Sequence, residues 1–300
     1  MTQAAVVETP LAVPVARSRA FDYVTLLKPR ITSLVAATAA GGYYVGSGTG
    51  GVPMLHAIAG TAVCAAGASA LNMALERRPD SLMERTMDRP VPAGRVSVTE
   101  AFAVGALLSI AGVVYLALAA NWLAAALGLA AVVGYAFVYT PLKTRTHLAT
   151  LIGAVPGALP PVIGYAAGAA VLDRGAAALF LILFFWQLPH FLALAWLYRE
   201  QYAKAGVPVL PVLEPDGGST ARQVILQTLA LIVASALPAW SGLGRGYLIA
   251  AVVLGAAFLV PGIAFARQRS RERAVRLFLA SVVYLPLLFG AMALGRAGLI

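Results

Sequence analysis

AFAVGALLSIAGVVYLALAANWLAAALGLAAVVGYAFVYT, residues 101–140, runs for forty residues without a charged side chain. An α-helix rises about 1.5 Å per residue, so roughly 20 apolar residues cross a hydrocarbon core of about 30 Å. The stretch is therefore long enough for two crossings. It predicts paired transmembrane helices over 98–119 and 121–140.

The rest of the chain has the same character. Hydrophobic residues make up 60% of it and charged residues only 11%, whereas charged residues make up about 25% of a soluble domain. This composition excludes a soluble globular protein and predicts an all-α integral membrane protein with nine transmembrane helices. The predicted helices span residues 31–50, 54–76, 98–119, 121–140, 148–169, 176–198, 222–240, 246–266 and 275–295.

Basic residues indicate how this bundle is oriented. Lys and Arg near membrane segments stay preferentially on the cytoplasmic side. With a cytoplasmic N-terminus, only Arg174, Arg245 and Arg296 fall outside, which leaves 19 of the 22 basic residues inside. The net charge of +10 is thus a signal of topology and of contact with membrane lipids, and we expect no nucleic-acid partner. The predicted location is the cytoplasmic (inner) membrane.

The two ends of the chain differ in character. The first 20 residues lack the basic region followed by an apolar core that marks a signal peptide. We expect residues 1–23 to form a disordered cytoplasmic tail. Residues 24–300 are predicted to form a single nine-helix domain. The one cysteine, Cys64, excludes an intrachain disulfide.

Three oxygen-bearing side chains, Asn72, Glu76 and Asp80, recur every four residues at the end of the second predicted helix. On a continuing helix they would share one face. Hard oxygen ligands suit Mg²⁺, which binds one or two carboxylates together with substrate phosphates. The sequence therefore predicts a magnesium site facing the cytoplasm. Pro79 cannot donate to the carbonyl of Leu75, so we also expect a kink or a helix end there.

Basic side chains surround these oxygens in the predicted topology and suit the same phosphate-bearing anion. They are Arg85, Arg89, Lys143 and Arg145. The alternative is that Asn72 satisfies a neighbouring helix while the charges only solvate a loop. The regular spacing and the shared side of the membrane favour the site.

The pattern N-x-x-x-(D/E)-x-x-x-D followed by M-x-R-T-x-x-R-P, here residues 72–90, resembles the UbiA-type membrane prenyltransferases. Further stretches resemble the branch of that superfamily that farnesylates haem b. They are LLKPRIT at 26–32, YTPLKTRT at 139–146, GAVPGALPPVIGY at 153–165, and WQLPHFLALAW with QYAKAGVPVLPV between 186 and 212. The resemblance covers about residues 24–215 and implies a bundle of nine transmembrane helices.

The resemblance also implies an activity. A farnesyl group would pass from Mg²⁺-bound farnesyl diphosphate to a vinyl group of haem b, with water added, giving haem O. Haem A synthase and terminal oxidase assembly proteins are then expected partners. The resemblance implies metal ligation by Asn72, Glu76, Asp80 and Glu200, diphosphate binding by Arg30, Arg85, Arg89, Lys143 and Arg145, and a catalytic set of Glu76, Asp80, Lys143 and Arg145.

This sequence departs from the family pattern at two acidic positions. Glu76 stands where Asp is usual, which keeps the charge and lengthens the side chain by one methylene. The usual Asp-Tyr of the second acidic site is Gln201-Tyr202, and the adjacent Glu200 is the expected substitute. Gln201 leaves open a transporter or an oxidase-assembly factor without turnover. A quinone-precursor or other aromatic acceptor for the same chemistry is another alternative.

Two histidines are candidates for contact with haem. His190 follows Pro189 inside the sixth predicted helix, where an ionisable group suggests function. The alternative for His190 is a hydrogen bond across helices. His147 begins the fifth predicted helix near the basic loop. That helix contains two G-x-x-x-G pairs with prolines between them, which predicts a broken, closely packed helix.

Overall fold

The computed structural model describes residues 18–300, and the chain is helical throughout that range, with no β-strand. The expected tail lies largely outside the described residues, but its last part was predicted wrongly. A helix begins at Arg19, where the expectation was disorder through residue 23. Ser18 caps this helix by accepting a hydrogen bond from the Phe21 N–H, and Leu26 anchors it with a fully buried side chain.

Residues 18–300 form fifteen α-helices, counting this first one, with π-helical turns at Gly134–Tyr139 and Ala239–Leu243. They are α1 (Arg19–Leu26), α2 (Pro29–Ser47), α3 (Val52–Leu75), α4 (Arg77–Ser81), α5 (Val98–Ala119), α6 (Trp122–Val133), α7 (Thr140–Leu142), α8 (Ala149–Gly157), α9 (Leu159–Ala169), α10 (Arg174–Leu197), α11 (Arg199–Lys204), α12 (Leu210–Leu213), α13 (Gly218–Pro238), α14 (Gly244–Arg267) and α15 (Arg271–Arg296). Helices lie at all nine predicted segments.

Seven helical segments of the described chain are long and apolar enough to cross a membrane. One of them, Gly218–Arg267, has 50 residues and comprises both α13 and α14. Between these two helices, Gly242 and Gly244 adopt positive φ and reverse the chain. Ile232 lies against Gly255, so α14 folds back along α13. The remaining predicted segment, α2, is a helix of 19 residues outside these seven.

Close backbone contacts hold the helices together where small residues allow them. A Cβ atom on Gly42 of α2 or on Gly164 of α9 would lie 1.9 Å from a carbonyl oxygen of the other helix. The predicted break in the fifth segment is confirmed, since α8 ends at Gly157 and α9 begins at Leu159. Gly157 leaves room there for the buried side chain of Gln187 on α10.

Candidate active site

The candidate site lies where α3 gives way to α4. Helix α3 ends at Leu75, and Glu76 has a non-helical backbone, so the break comes three residues before Pro79. Pro79 lies in the first turn of α4, where proline is tolerated. The Asp80 N–H still donates to the Glu76 carbonyl at 2.9 Å. The predicted trio therefore stays together, and Asn72, Glu76 and Asp80 are each at most 4% exposed.

Each buried carboxylate is paired with a cation. The Lys143 Nζ lies 2.9 Å from the Glu76 Oε1 and donates to Oε2 at 3.0 Å. The Arg89 Nη1 donates to the Asp80 Oδ2 at 2.6 Å. Buried charges need such partners because desolvation of an unpaired ion is costly. Burial lowers the pKa of Lys143, but Tyr139 and Glu76 outweigh it and raise the pKa above its ordinary value.

A third cation, Lys28, was not predicted as a site residue. Its Nζ donates to the Asn72 Oδ1 at 2.7 Å. Burial, and then the charge of Arg89, lowers the pKa of Lys28 to about 8. Its backbone is left-handed, with φ of 48°, a conformation in which non-glycine residues are strained and which is concentrated at functional sites. The only sequence signal is its position in LLKPRIT, where the predicted residue was Arg30.

The amide of Asn72 is oriented by Thr140, which follows the first π-helical turn. Both the N–H and the hydroxyl of Thr140 donate to the Tyr135 carbonyl, the hydroxyl at 2.9 Å. Its oxygen then accepts from the Asn72 Nδ2 at 3.0 Å. Because the one hydroxyl proton is already used, Thr140 can only accept from Asn72. The amide nitrogen therefore faces Thr140, and the amide oxygen faces Lys28.

The two long connections meet at this end of the bundle. The Gln201 Oε1 accepts from the Arg85 N–H at 3.3 Å, and the Arg85 guanidinium lies 5.2 Å from the centre of the Tyr198 ring. Glu200 is exposed, and its side chain makes no hydrogen bond or ion pair among residues 18–300. The same range contains no cluster of three or more acidic, histidine or cysteine side chains able to hold a metal. Metal binding by Glu200 stays a prediction.

A cavity of about 50 Å³ opens beside Lys143. Tyr139, His147, Phe191 and Tyr202 are among its lining residues, so the structure brings His147 to the side of the site. Two other predicted basic residues, Arg30 and Arg145, are exposed and form no ion pair in the described part of the chain.

His190 lies elsewhere and has its own partners. Its Nδ1 lies 2.7 Å from the Ser281 Oγ of α15. Its ring packs against Trp186 and Phe278, with centroid distances of 5.0 and 4.8 Å. This geometry matches the alternative of a hydrogen bond across helices, and the role of His190 toward haem stays a prediction.

The donor set fits one Mg²⁺ ion. Two buried carboxylates and an amide oxygen are the hard ligands that this ion takes, with water and phosphate completing the shell. The Glu76 Oε1 is buried, and its partner among the described residues is the Lys143 ammonium, 2.9 Å away. A carboxylate oxygen can accept more than one partner, so a bound cation fits there as well.

Comparison with known proteins gives consistent matches. The sequence model of the UbiA prenyltransferase family matches residues 33–291. The protoheme IX farnesyltransferase of Solibacter usitatus is 46% identical over 290 residues, covering 93% of this chain and 99% of the relative. The enzyme of the same name from Koribacter versatilis is 42% identical over 305 residues, covering 97% of this chain and 98% of the relative.

Solved structures share the fold at low identity. A structure reported for digeranylgeranylglyceryl phosphate synthase in membranes superposes with a TM-score of 0.78 and 18% identity, covering 93% of this chain and 99% of that one. A UbiA homolog from Archaeoglobus fulgidus, bound to GPP and Mg²⁺, superposes with a TM-score of 0.62 and 18% identity. The match covers 90% of this chain and 99% of that one. At such identity the likeness shows the fold alone.

Proposed function

The chain belongs to the UbiA prenyltransferase family, and from that premise we propose that it transfers the farnesyl group of farnesyl diphosphate to a vinyl group of haem b, giving haem O. The observation that carries the proposal is the arrangement of charges at one end of an apolar helix bundle. Glu76 pairs with Lys143 and Asp80 pairs with Arg89, with both carboxylates almost fully buried and both cations partly exposed. A metal-bound diphosphate carries charges of both signs. Its metal ion would face the two carboxylates, and its phosphate oxygens would face Lys143 and Arg89.

The residues divide between metal and diphosphate. Glu76, Asp80 and the Oδ1 atom of Asn72 would hold Mg²⁺, which supplies electrostatic stabilisation of the charge developing on the leaving diphosphate. Lys143, Arg89 and Lys28 contact these same three residues in the structure. With Mg²⁺ bound there, they would donate hydrogen bonds to diphosphate oxygens instead, since charge-assisted bonds to phosphate are the strong ones. The exposed Arg30, Arg85 and Arg145 extend this basic surface to incoming substrate.

The reaction breaks the allylic C–O bond, and the electron pair leaves with the diphosphate. The terminal vinyl carbon bonds to the first farnesyl carbon, and water adds to the resulting cation next to the porphyrin ring and releases a proton. Lys143 and Arg89 stabilise the leaving group where its charge grows. Tyr139 lines the cavity beside Lys143, and its ring face suits the positive charge of the farnesyl fragment.

Haem b is the proposed acceptor because relatives named protoheme IX farnesyltransferase match this chain along almost its whole length. His147 is the better placed of the two histidine candidates, since it shares a cavity with Lys143. His190 does not line that cavity, and its Nδ1 contacts Ser281 on α15. The product would pass to proteins that use haem O, such as haem A synthase or terminal oxidase assembly proteins.

We place the site on the cytoplasmic face of the inner membrane, with nine crossings and the N-terminus inside. The distribution of basic residues supports this topology, because 19 of 22 lie on that side. The fold-back of α13 onto α14 supports two crossings within the 50-residue segment.

Purified protein, incubated with haem b, farnesyl diphosphate and Mg²⁺, tests the proposal. Mass spectrometry should show haem O, and EDTA should abolish its formation. Parallel reactions replace haem b with an aromatic acid or a quinone precursor. Farnesylation of those acceptors in place of haem would overturn the assignment of the acceptor. Absence of product from every acceptor would overturn the enzymatic proposal in favour of transport or oxidase assembly.

A further inference from the structure

A second and larger cavity lies at the opposite end of the bundle from Glu76 and Asp80. Its volume is about 300 Å³. Helix α2 begins beside Lys28 and reaches this cavity with Val45 and Gly46, and its 19 residues rise about 28 Å at 1.5 Å each. The start of α10, the second π-helical turn and the end of α15 complete the wall. The cavity is therefore separate from the prenyl transfer site.

Asp173 presents one engaged and one free oxygen at this cavity. Its Oδ1 accepts from the Tyr165 hydroxyl and the Gly175 N–H, both at 2.8 Å, and from the Ala176 N–H at 3.3 Å. Within residues 18–300, no side chain of another residue donates to Oδ2. Burial would raise the pKa of Asp173, but Tyr165 and the backbone N–H groups outweigh it and lower the pKa. The carboxylate is therefore charged at neutral pH.

Arg296, in the last turn of α15, brings the opposite charge to the same cavity. Its Nε lies 3.1 Å from the position that a Cβ on Gly48 would take. Among the described residues, Arg296 forms no ion pair with Asp173 or with any other carboxylate. The cavity thus holds a free carboxylate oxygen and a free guanidinium that do not neutralise each other.

The walls and rim are those of a membrane boundary. Val45, Leu179 and Leu243 supply the apolar part of a lining that is otherwise polar. Trp240, in the π-helical turn beside it, is 81% exposed, as is typical of the aromatic belt at headgroup level. The ligand that fits is therefore amphipathic, with separated charges of both signs.

We propose that this cavity binds the headgroup of a phospholipid of the phosphatidylethanolamine class. The phosphate would contact Arg296, and the primary ammonium would donate to the Asp173 Oδ2. A choline headgroup has no N–H to donate, and a purely anionic headgroup would meet the Asp173 carboxylate without a countercharge. A volume of about 300 Å³ is at the lower end of the range for ligand pockets, which suits a headgroup whose acyl chains stay in the bilayer.

Native mass spectrometry of the detergent-purified protein, titrated with phosphatidylethanolamine, phosphatidylcholine or phosphatidylglycerol, tests this site. We expect preferential retention of phosphatidylethanolamine. Arg296→Gln and Asp173→Ser should each weaken it about tenfold, since each removes a charge-assisted contact. Serine keeps an oxygen for capping α10. Arg245→Gln, which removes another basic residue of the same predicted side, is the matched control and should bind as the wild type does.

Several outcomes would overturn the proposal: equal retention of the three lipids, preference for phosphatidylglycerol, or unchanged retention in both cavity variants. Phosphoethanolamine without acyl chains is a further probe. If it binds as tightly as the lipid, the ligand is a soluble zwitterion and the lipid assignment is wrong. Haem O formation in detergent should be unaffected by Arg296→Gln, so this proposal and the enzymatic one fail separately.

Discussion

Replacing Thr140 with valine should reduce catalysis through Asn72. Valine keeps the shape of threonine but cannot accept the hydrogen bond that the Asn72 Nδ2 donates to Thr140 at 3.0 Å. Asn72 is 2% exposed, so no solvent replaces that bond. Either the amide nitrogen stays without an acceptor, or the amide turns and its oxygen no longer faces the site.

The magnitude follows from the cost of a buried donor without a partner, about 1–3 kcal/mol. If that cost is borne by the substrate-bound and transition states, kcat/KM falls by about 5-fold to 150-fold, since about 1.4 kcal/mol corresponds to tenfold. The Mg²⁺ concentration for half-maximal activity should rise as well, because the Asn72 oxygen is one of the proposed ligands. Binding of Mn²⁺, followed by paramagnetic resonance, should weaken in parallel without any turnover.

Thr140→Ser and Thr228→Val are the matched controls. Serine restores the hydroxyl and should recover most of the activity. Thr228 is fully buried and bonds only back to the Val224 carbonyl at 2.7 Å, so Thr228→Val measures the structural cost of the same substitution. The reasoning is refuted if Thr140→Val lowers kcat/KM no more than Thr228→Val does. It is also refuted if Thr140→Val and Asn72→Ala have additive effects, since residues acting as one unit are not additive.

Three further substitutions probe the charged residues. Glu76→Gln should lower haem O output far more than the thermal midpoint, and unchanged output would contradict the role of Glu76. Arg89→Gln leaves Asp80, 1% exposed, without its cation, so Tm and activity should both fall. The expected loss in the free energy of unfolding is about 3–5 kcal/mol, and a Tm equal to that of the wild type would contradict the pairing. Gln201→Asp, which restores the usual acid, should give equal or higher turnover, and a large loss would show that the second acidic site works differently here.

Much of the fold is predictable because apolar length alone selects membrane helices. Helices occupy all nine predicted segments, and the break between α8 and α9 follows from their glycines and prolines. The break after α3 was less predictable. Proline indicates that a helix is disturbed but not which residue absorbs the change, and here Glu76 does so before Pro79 is reached.

The candidate site was predictable where residues share one helix. The spacing of Asn72, Glu76 and Asp80 indicates their proximity because a helix fixes it. Lys28 and Thr140 have no such signal. Their positions depend on a left-handed residue between α1 and α2 and on a π-helical turn, which are products of tertiary packing. For the same reason the sequence did not predict that Glu200 and Arg145 would be exposed.

The two buried carboxylates differ in how far along the sequence their ion-pair partners lie, and so in when each partner is synthesised. Asp80 finds Arg89 nine residues later, within the same connection. Glu76 depends on Lys143, 67 residues further on, so two more apolar segments must be synthesised first. During biosynthesis we therefore expect Glu76 to lack its ion-pair partner until both segments are made, and the unfinished pocket to stay hydrated. We expect the pocket around Glu76 to lose this water only after Lys143 has been synthesised and has paired with the carboxylate.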